Sequence, residues 1–365
     1  MRCFATGLLL LWLAAHLFGQ SATEGPTSKK AQKAYQQGLE QLQNRSEGTA
    51  LWYFREADKQ DGGKCLPCEG QMIKIGLATG NWKAVEDGAS ELALQVQDPK
   101  QQAIAHHYLG LAFMNEGLDK HHDDLLARAH DEYTKAIVLY PHFAETLFDD
   151  GKALANLRRD DESKAQFEKF VALTPEGAFQ RWRAQQFIRK PELARANLAP
   201  DFGFFTVDGQ RVTLDGLAGK VVLVDFWATS CDECLRSLPR LREIAKKFQN
   251  QPFVLLSVSV DYDEAAWRSY LKKNDVPGLQ CRDGFNGSVS QAFGLRVDYR
   301  CNVDKSIAGA SASVWTSSCG LKQVVPRTFT IDAEGVLMTE KLSDTSLEVK
   351  LQDLISRADG QQAGK

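Results

Sequence analysis

Cys231 and Cys234 stand three residues apart, directly after the apolar run Val221 to Phe226 and directly before a segment of helical periodicity. At a helix N-terminus the first of two such cysteines meets unpaired backbone N–H groups and the positive end of the helix dipole, which favour thiolate over thiol. The second lies one turn deeper, within reach of a mixed disulfide formed by the first. Cys231 is thus the candidate nucleophile, Cys234 the candidate resolving thiol, and dithiol–disulfide exchange the chemistry they suit. Asp225 interrupts the apolar run before them. An unpaired carboxylate is costly to bury, so its pKa is expected to rise there; a solvated acid at a strand end is the plainer alternative.

The chain has eight cysteines. Cys3 precedes an apolar stretch and is expected to leave with it. Cys65-Leu66-Pro67-Cys68 repeats the three-residue spacing before a helical segment but has no strand ahead of it, so a local disulfide or packed thiols are expected. A zinc site is the alternative, with His106, His107, His121 and His122 as the supply of further ligands. Cys281 sits in the short apolar segment Val276 to Cys281 and reads as a buried inert thiol. After His16 every histidine lies before residue 199, so the C-terminal part has no Cys-His pair for protease or acyl-transfer chemistry.

The elements that must carry these residues fall into two halves, as 365 residues lead one to expect, with 43% hydrophobic and 25% charged composition typical of folded domains. A formal charge of -3 provides no electrostatic basis for nucleic-acid binding. Residues 1–22 have the layout of a secretory signal: Arg2, an apolar stretch from Gly7 to Ala15, then small and polar residues from Gly19 to Ala22. The stretch falls short of the roughly 20 apolar residues that span a bilayer. Export to the periplasm or outside the cell follows from it, and in an oxidising compartment close cysteine pairs read as disulfides or redox centres.

Residues 28–198 are helix-forming throughout. Small residues recur, Gly38 with Ala57, Gly76 with Ala89, Gly110 with Ala136 and Gly151 with Ala172, while Pro99, Pro141 and Pro175 punctuate segment ends. This is the grammar of antiparallel helix pairs that bury their apolar faces against the next pair. It resembles tetratricopeptide repeats, four of them plus a final helix from Pro175 to about Lys190, with an insertion around Lys120 to Asp124 in the third. Such a resemblance implies a groove for docking proteins or peptides; an all-helical cap without a ligand is the structural alternative.

Residues 199–358 alternate strands and helices. Phe202 to Phe205 and Arg211 to Leu214 predict a hairpin across Asp208-Gly209, Val221 to Phe226 and Phe253 to Val260 buried strands, and Leu238, Leu241, Ile244, Ala245 and Phe248 the core face of a helix. Ala265 to Lys273 predicts a second helix, Arg327 to Ile331 and Val336 to Lys341 a hairpin around Ala333-Glu334-Gly335, and Ser346 to Arg357 the last helix; residues 359–365 are expected to be a disordered tail. The result is an α/β mixed central sheet flanked by helices.

With the strings Ala199-Pro200-Asp201-Phe202, Gly219 to Thr229, the C-x-x-C, Leu238-Pro239 and Val325 to Asp332 in view, this half resembles the thioredoxin superfamily in its TlpA/ResA-like, redoxin-related branch. The resemblance implies that Pro326 is cis beside the active-site disulfide and that the backbone of Val325 pairs with substrate, so Val325, Pro326 and Trp227 are the substrate-binding candidates. It also implies that Asp225 shuttles the proton of Cys234. Relative to the family, residues at about 296–323 are an insertion, most of it bracketed by Cys301 and Cys319, for which a structural disulfide worth roughly 3 kcal/mol is expected, with a second redox relay as the alternative. No cofactor and no metal are implied.

Two departures bear on direction. Ser230 replaces the usual tryptophan and Glu233 the usual proline, so the dipeptide between the sulfurs is doubly acidic and opposes thiolate formation. A reductant or isomerase of protein disulfides is therefore expected, fed by a membrane thiol reductant as the family implies. Ser237 stands where ResA-like members often carry glutamate, so selectivity for apocytochrome does not transfer. The alternatives are a redoxin-type peroxidase, opposed by Ala228 at the position of the peroxide-binding threonine, and a repeat scaffold or chaperone with a vestigial redox centre.

Overall fold

The computed structural model of the protein describes residues 25–44, 46–178, 180–284, 287–295, 325–340 and 346–363. The expected signal at 1–22, the insertion at 296–323 and the Cys301–Cys319 pair lie outside them. The chain divides into two compact units meeting at Arg195 and Ala196. The boundary falls three residues before the expected one for a physical reason. Arg195 Nη1 donates to Ala155 O at 2.7 Å in the first unit, whereas Leu337 N donates to Asn197 O at 2.7 Å in the second.

The first unit is all-helical: α1 Lys29–Gln43, α2 Glu47–Gln60, α3 Leu66–Thr79, α4 Trp82–Gln95, α5 Pro99–Lys120, α6 Asp123–Leu139, α7 Ala144–Asn156, α8 Asp160–Leu173 and α9 Arg181–Arg189. Helix starts follow the sequence. Ser28, Asn81 and Asp98 each cap the first turn with a side-chain oxygen, and Pro99 opens α5 where no N–H is needed. Consecutive helices pair closely because glycine meets a large side chain. A Cβ on Gly38 would come within 2.7 Å of the Phe54 ring and one on Gly151 within 2.8 Å of the Phe167 ring, and Gly110 meets Tyr133 in the same way.

Two expectations change here. In the segment Lys120 to Asp124, α5 ends and α6 begins, with His121 and His122 in the turn and His121 in a left-handed conformation at φ 55°. Ala172 is exposed, so Phe167 rather than Ala172 is the residue that Gly151 accommodates. The last helix begins at Arg181 rather than Pro175.

In the second unit β1 Gly203–Phe205 and β2 Arg211–Thr213 form the first hairpin, with Gly209 at φ 84° in its turn. The main sheet contains β3 Val221–Trp227, β4 Phe253–Ser259, β5 Leu279–Arg282, β6 Arg327–Ile331 and β7 Leu337–Glu340 in the order β5-β4-β3-β6-β7. β3, β4 and β5 run parallel, while β6 is antiparallel to β3 and to β7. β3 is central and buried along its whole length, which is why it reads as a continuous apolar run. Helix α10 Asp232–Lys247 follows β3, α11 Glu264–Lys273 follows β4, α12 Ser288–Ala292 follows β5 and α13 Leu347–Ala363 closes the chain.

Leu238, Leu241, Ile244 and Phe248 pack with Val221, Leu223, Leu255, Leu347, Leu351 and Ile355 in one core on a face of the sheet. β5 is a strand where the sequence shows only a short apolar segment around Cys281. Helix α13 continues to Ala363 and takes in most of the segment expected as a tail, since Ala358, Gln361, Gln362 and Ala363 favour the helix against Asp359 and Gly360.

Candidate active site

The site is built where β3 ends and α10 begins. Cys231 is the N-cap of α10; its Sγ accepts the Cys234 N–H at 3.1 Å, and the two sulfurs are bonded, with their Cα atoms 5.2 Å apart. The Val325–Pro326 peptide bond is cis, and the Val325 carbonyl oxygen lies 3.8 Å from Cys231 Sγ. The geometry brings these four residues together. Asp232 and Glu233 point to solvent between the two cysteines.

The presentation of the sulfur is narrower than the sequence suggests. Cys231 is 4% exposed and Cys234 1%, because the segment that carries Val325 lies against them. Trp227, expected to contact substrate, is wholly enclosed at the end of β3, its ring 5.8 Å from that of Tyr270. It belongs to the core. Both faces of β3 are covered, so its side chain packs within the layers of the domain.

Asp225 lies within β3, buried and paired in register with Thr328 of β6 and Ser257 of β4. Burial pushes its carboxyl up to about 7, against the opposing effect of a hydrogen bond donated by Thr328 Oγ1 to Asp225 Oδ1 at 3.3 Å. Near neutral pH the group therefore carries a proton part of the time, as a proton relay requires.

Sequence reasoning missed Asp261. This buried carboxylate, two residues past β4, accepts from Thr229 N at 3.0 Å, Thr229 Oγ1 at 2.7 Å and Ser259 Oγ at 2.7 Å. It ties down the turn Ala228-Thr229-Ser230 that delivers Cys231. The signal was present: Ser257, Ser259 and Asp261 are polar residues at alternate positions at the end of a run that begins apolar.

Cys65 and Cys68, in the other unit, are also bonded to each other. Of the four histidines named as a supply of zinc ligands, two have other partners, with His106 Nδ1 2.6 Å from Glu132 and His107 Nδ1 3.1 Å from Thr146 Oγ1. Cys281 is fully buried in β5.

Residues 194–354 match the Redoxin family model. This region is similar to redoxins and to ResA. Among curated relatives, the thiol-disulfide oxidoreductase ResA of a Bacillus cereus strain is 27% identical over 90 residues, 25% of this chain and 52% of the relative. ResA of Bacillus subtilis is 29% identical over 90 residues, covering 25% of this chain and 50% of the relative. The chain thus spans about half the length of the curated relatives it matches. Among solved structures, the thioredoxin domain of a thiol-disulfide oxidoreductase from Bacteroides vulgatus is 20% identical, covering 44% of this chain and 97% of that one, with a TM-score of 0.33. The redoxin domain contains Asp225, Cys231, Cys234, Asp261 and the Val325–Pro326 bond.

Proposed function

We propose that the protein is an extracytoplasmic thiol-disulfide oxidoreductase that reduces or isomerises protein disulfides through Cys231 and Cys234. The observation that carries this reading is the bonded pair at the N-terminus of α10, set against the Val325 carbonyl. Reduced Cys231, as thiolate, attacks a client disulfide; one client sulfur leaves as thiolate and a mixed disulfide forms. Cys234 then attacks Cys231 Sγ, its proton passing to Asp225, and the second client sulfur leaves. Two electrons have moved from the dithiol to the client, and a membrane thiol reductant restores them.

Val325 and Pro326 border the sulfurs, and the Val325 backbone is the element against which client main chain docks. The antiparallel helix pairs of the first unit serve as a tetratricopeptide-like docking surface for client proteins. The apolar stretch within residues 1–22 supports export, and the Cys65–Cys68 disulfide is compatible with an oxidising compartment. No helix among the described residues is long and apolar enough to cross a membrane.

Peroxidase chemistry is less well supported. Ala228 occupies the position where a peroxide-binding hydroxyl is needed, and the hydroxyl of neighbouring Thr229 is committed to Asp261. Insulin disulfide reduction measured beside hydrogen peroxide turnover decides between the two. The proposal expects the first and is overturned by peroxide turnover without disulfide reduction.

A further inference from the structure

The first unit contains a second cysteine pair whose local construction repeats that of the first. Cys65 is the N-cap of α3, its Sγ accepts the Cys68 N–H at 3.2 Å, and the Cα atoms of the bonded pair are 5.2 Å apart. Around Cys231 and Cys234 the corresponding values are 3.1 Å and 5.2 Å. As a staple the bond has little to do. Cys68 N and Glu69 N already donate to Cys65 O at 2.8 and 3.1 Å, and a loop this short loses the least entropy on closure.

A buried acid accompanies each pair. Glu69 stands one helical turn from Cys65, fully buried, and long helical side chains lean back toward the preceding turn. Gln95 donates to its Oε1, while its Oε2 has no partner among the described residues. An unpaired buried carboxyl oxygen is costly and calls for a role. Asp58 of α2 faces the same cluster, accepting the Cys65 N–H at 3.1 Å, and Glu91 of α4 adds a further negative charge. Burial among these acids pushes Glu69 up to about 8, so it holds its proton at neutral pH.

We infer that Cys65 and Cys68 form a second redox-active dithiol–disulfide couple, with Glu69 as its proton donor. A thiolate of a dithiol reductant attacks Cys68 Sγ, the Cys65–Cys68 bond breaks, and the electron pair leaves on Cys65 Sγ, which takes the Glu69 proton. The reductant's second thiolate attacks its own bridged sulfur, so the reductant becomes a disulfide and Cys68 a thiolate. The two protons given up by the reductant return to Cys68 and Glu69. With Cys65 at 1% and Cys68 at 0% exposure, attack requires the start of α3 to open.

The test is reduction of the full chain by dithiothreitol at pH 7, with alkylation and peptide mass spectrometry reading each pair separately and circular dichroism monitoring the fold. Reversible reduction of Cys65–Cys68 in folded protein is expected, slowed about tenfold or more in Glu69→Gln, as loss of a general acid requires. A pair that stays oxidised until the helices melt is a staple and overturns the proposal. Equal or faster reduction of Glu69→Gln, the result of mere loosening, overturns the role of Glu69. Because Cys231–Cys234 is read on its own peptide, neither outcome depends on the function proposed for the redoxin domain.

Discussion

Cys231 Sγ and the Val325 carbonyl oxygen lie 3.8 Å apart although 94 residues separate them in the chain. β3 delivers the first and the strand partner β6 begins just after the second, so pairing of the two strands fixes the contact.

If Cys231 is the nucleophile, Cys231→Ser abolishes insulin disulfide reduction and Cys234→Ala leaves Cys231 in mixed disulfides with clients. Non-reducing electrophoresis with mass spectrometry reads the trapped species and identifies them. Full activity in either variant refutes the assignment of both sulfurs.

The raised pKa of Asp225 fixes the sign of two pH effects. Its carboxyl is held at about 7 in the fold and near 3.8 in the unfolded chain, so between these values the folded state binds more protons and stability falls as pH rises. Asp225→Asn removes the cost of the buried charge. It is expected to raise Tm by a growing margin from pH 4 to pH 7, constant above, as calorimetry reports. Release from the mixed disulfide, in stopped-flow, accelerates through about pH 7 in the native protein and stays slow in the variant.

Asp261 is expected to act through the turn it holds. Asp261→Asn replaces an acceptor oxygen by a donor facing Thr229 and Ser259, with a cost on the order of 1–3 kcal/mol in chemical unfolding. The rate of Cys231 alkylation in the reduced protein changes with it, whereas alkylation of Cys65 and Cys68 does not.

In the helical unit, Gly151→Val forces a branched side chain into the Phe167 ring. A loss of about 1–3 kcal/mol is expected from urea unfolding, with the redoxin domain's chemistry retained. The same substitution at Gly48, which has open space around it, carries no such loss, since valine clashes with nothing there and favours the helix slightly more than glycine does.

Much of this was legible because the determinants are local. The apolar run of β3, the 3.6-residue spacing of Leu238, Leu241 and Ile244, and the capping of α10 by Cys231 each depend on a few neighbouring residues. The enclosure of Trp227 was not legible, because an aromatic at a strand end looks the same in the sequence whether it is exposed or packed. Asp261 escaped notice because nothing in the linear order links it to Thr229; only the parallel pairing of β3 with β4 brings the two strand ends together.

Composition, periodicity and spacing were enough to specify two architectures and the sulfur pair, since secondary structure and short-range geometry answer to adjacent side chains. Which groups surround those sulfurs, how deeply they lie and what proton affinity Asp225 acquires were decided by packing alone. Burial and long-range contacts are properties of the assembled sheet, and no stretch of the chain contains them before β3, β4 and β6 lie side by side.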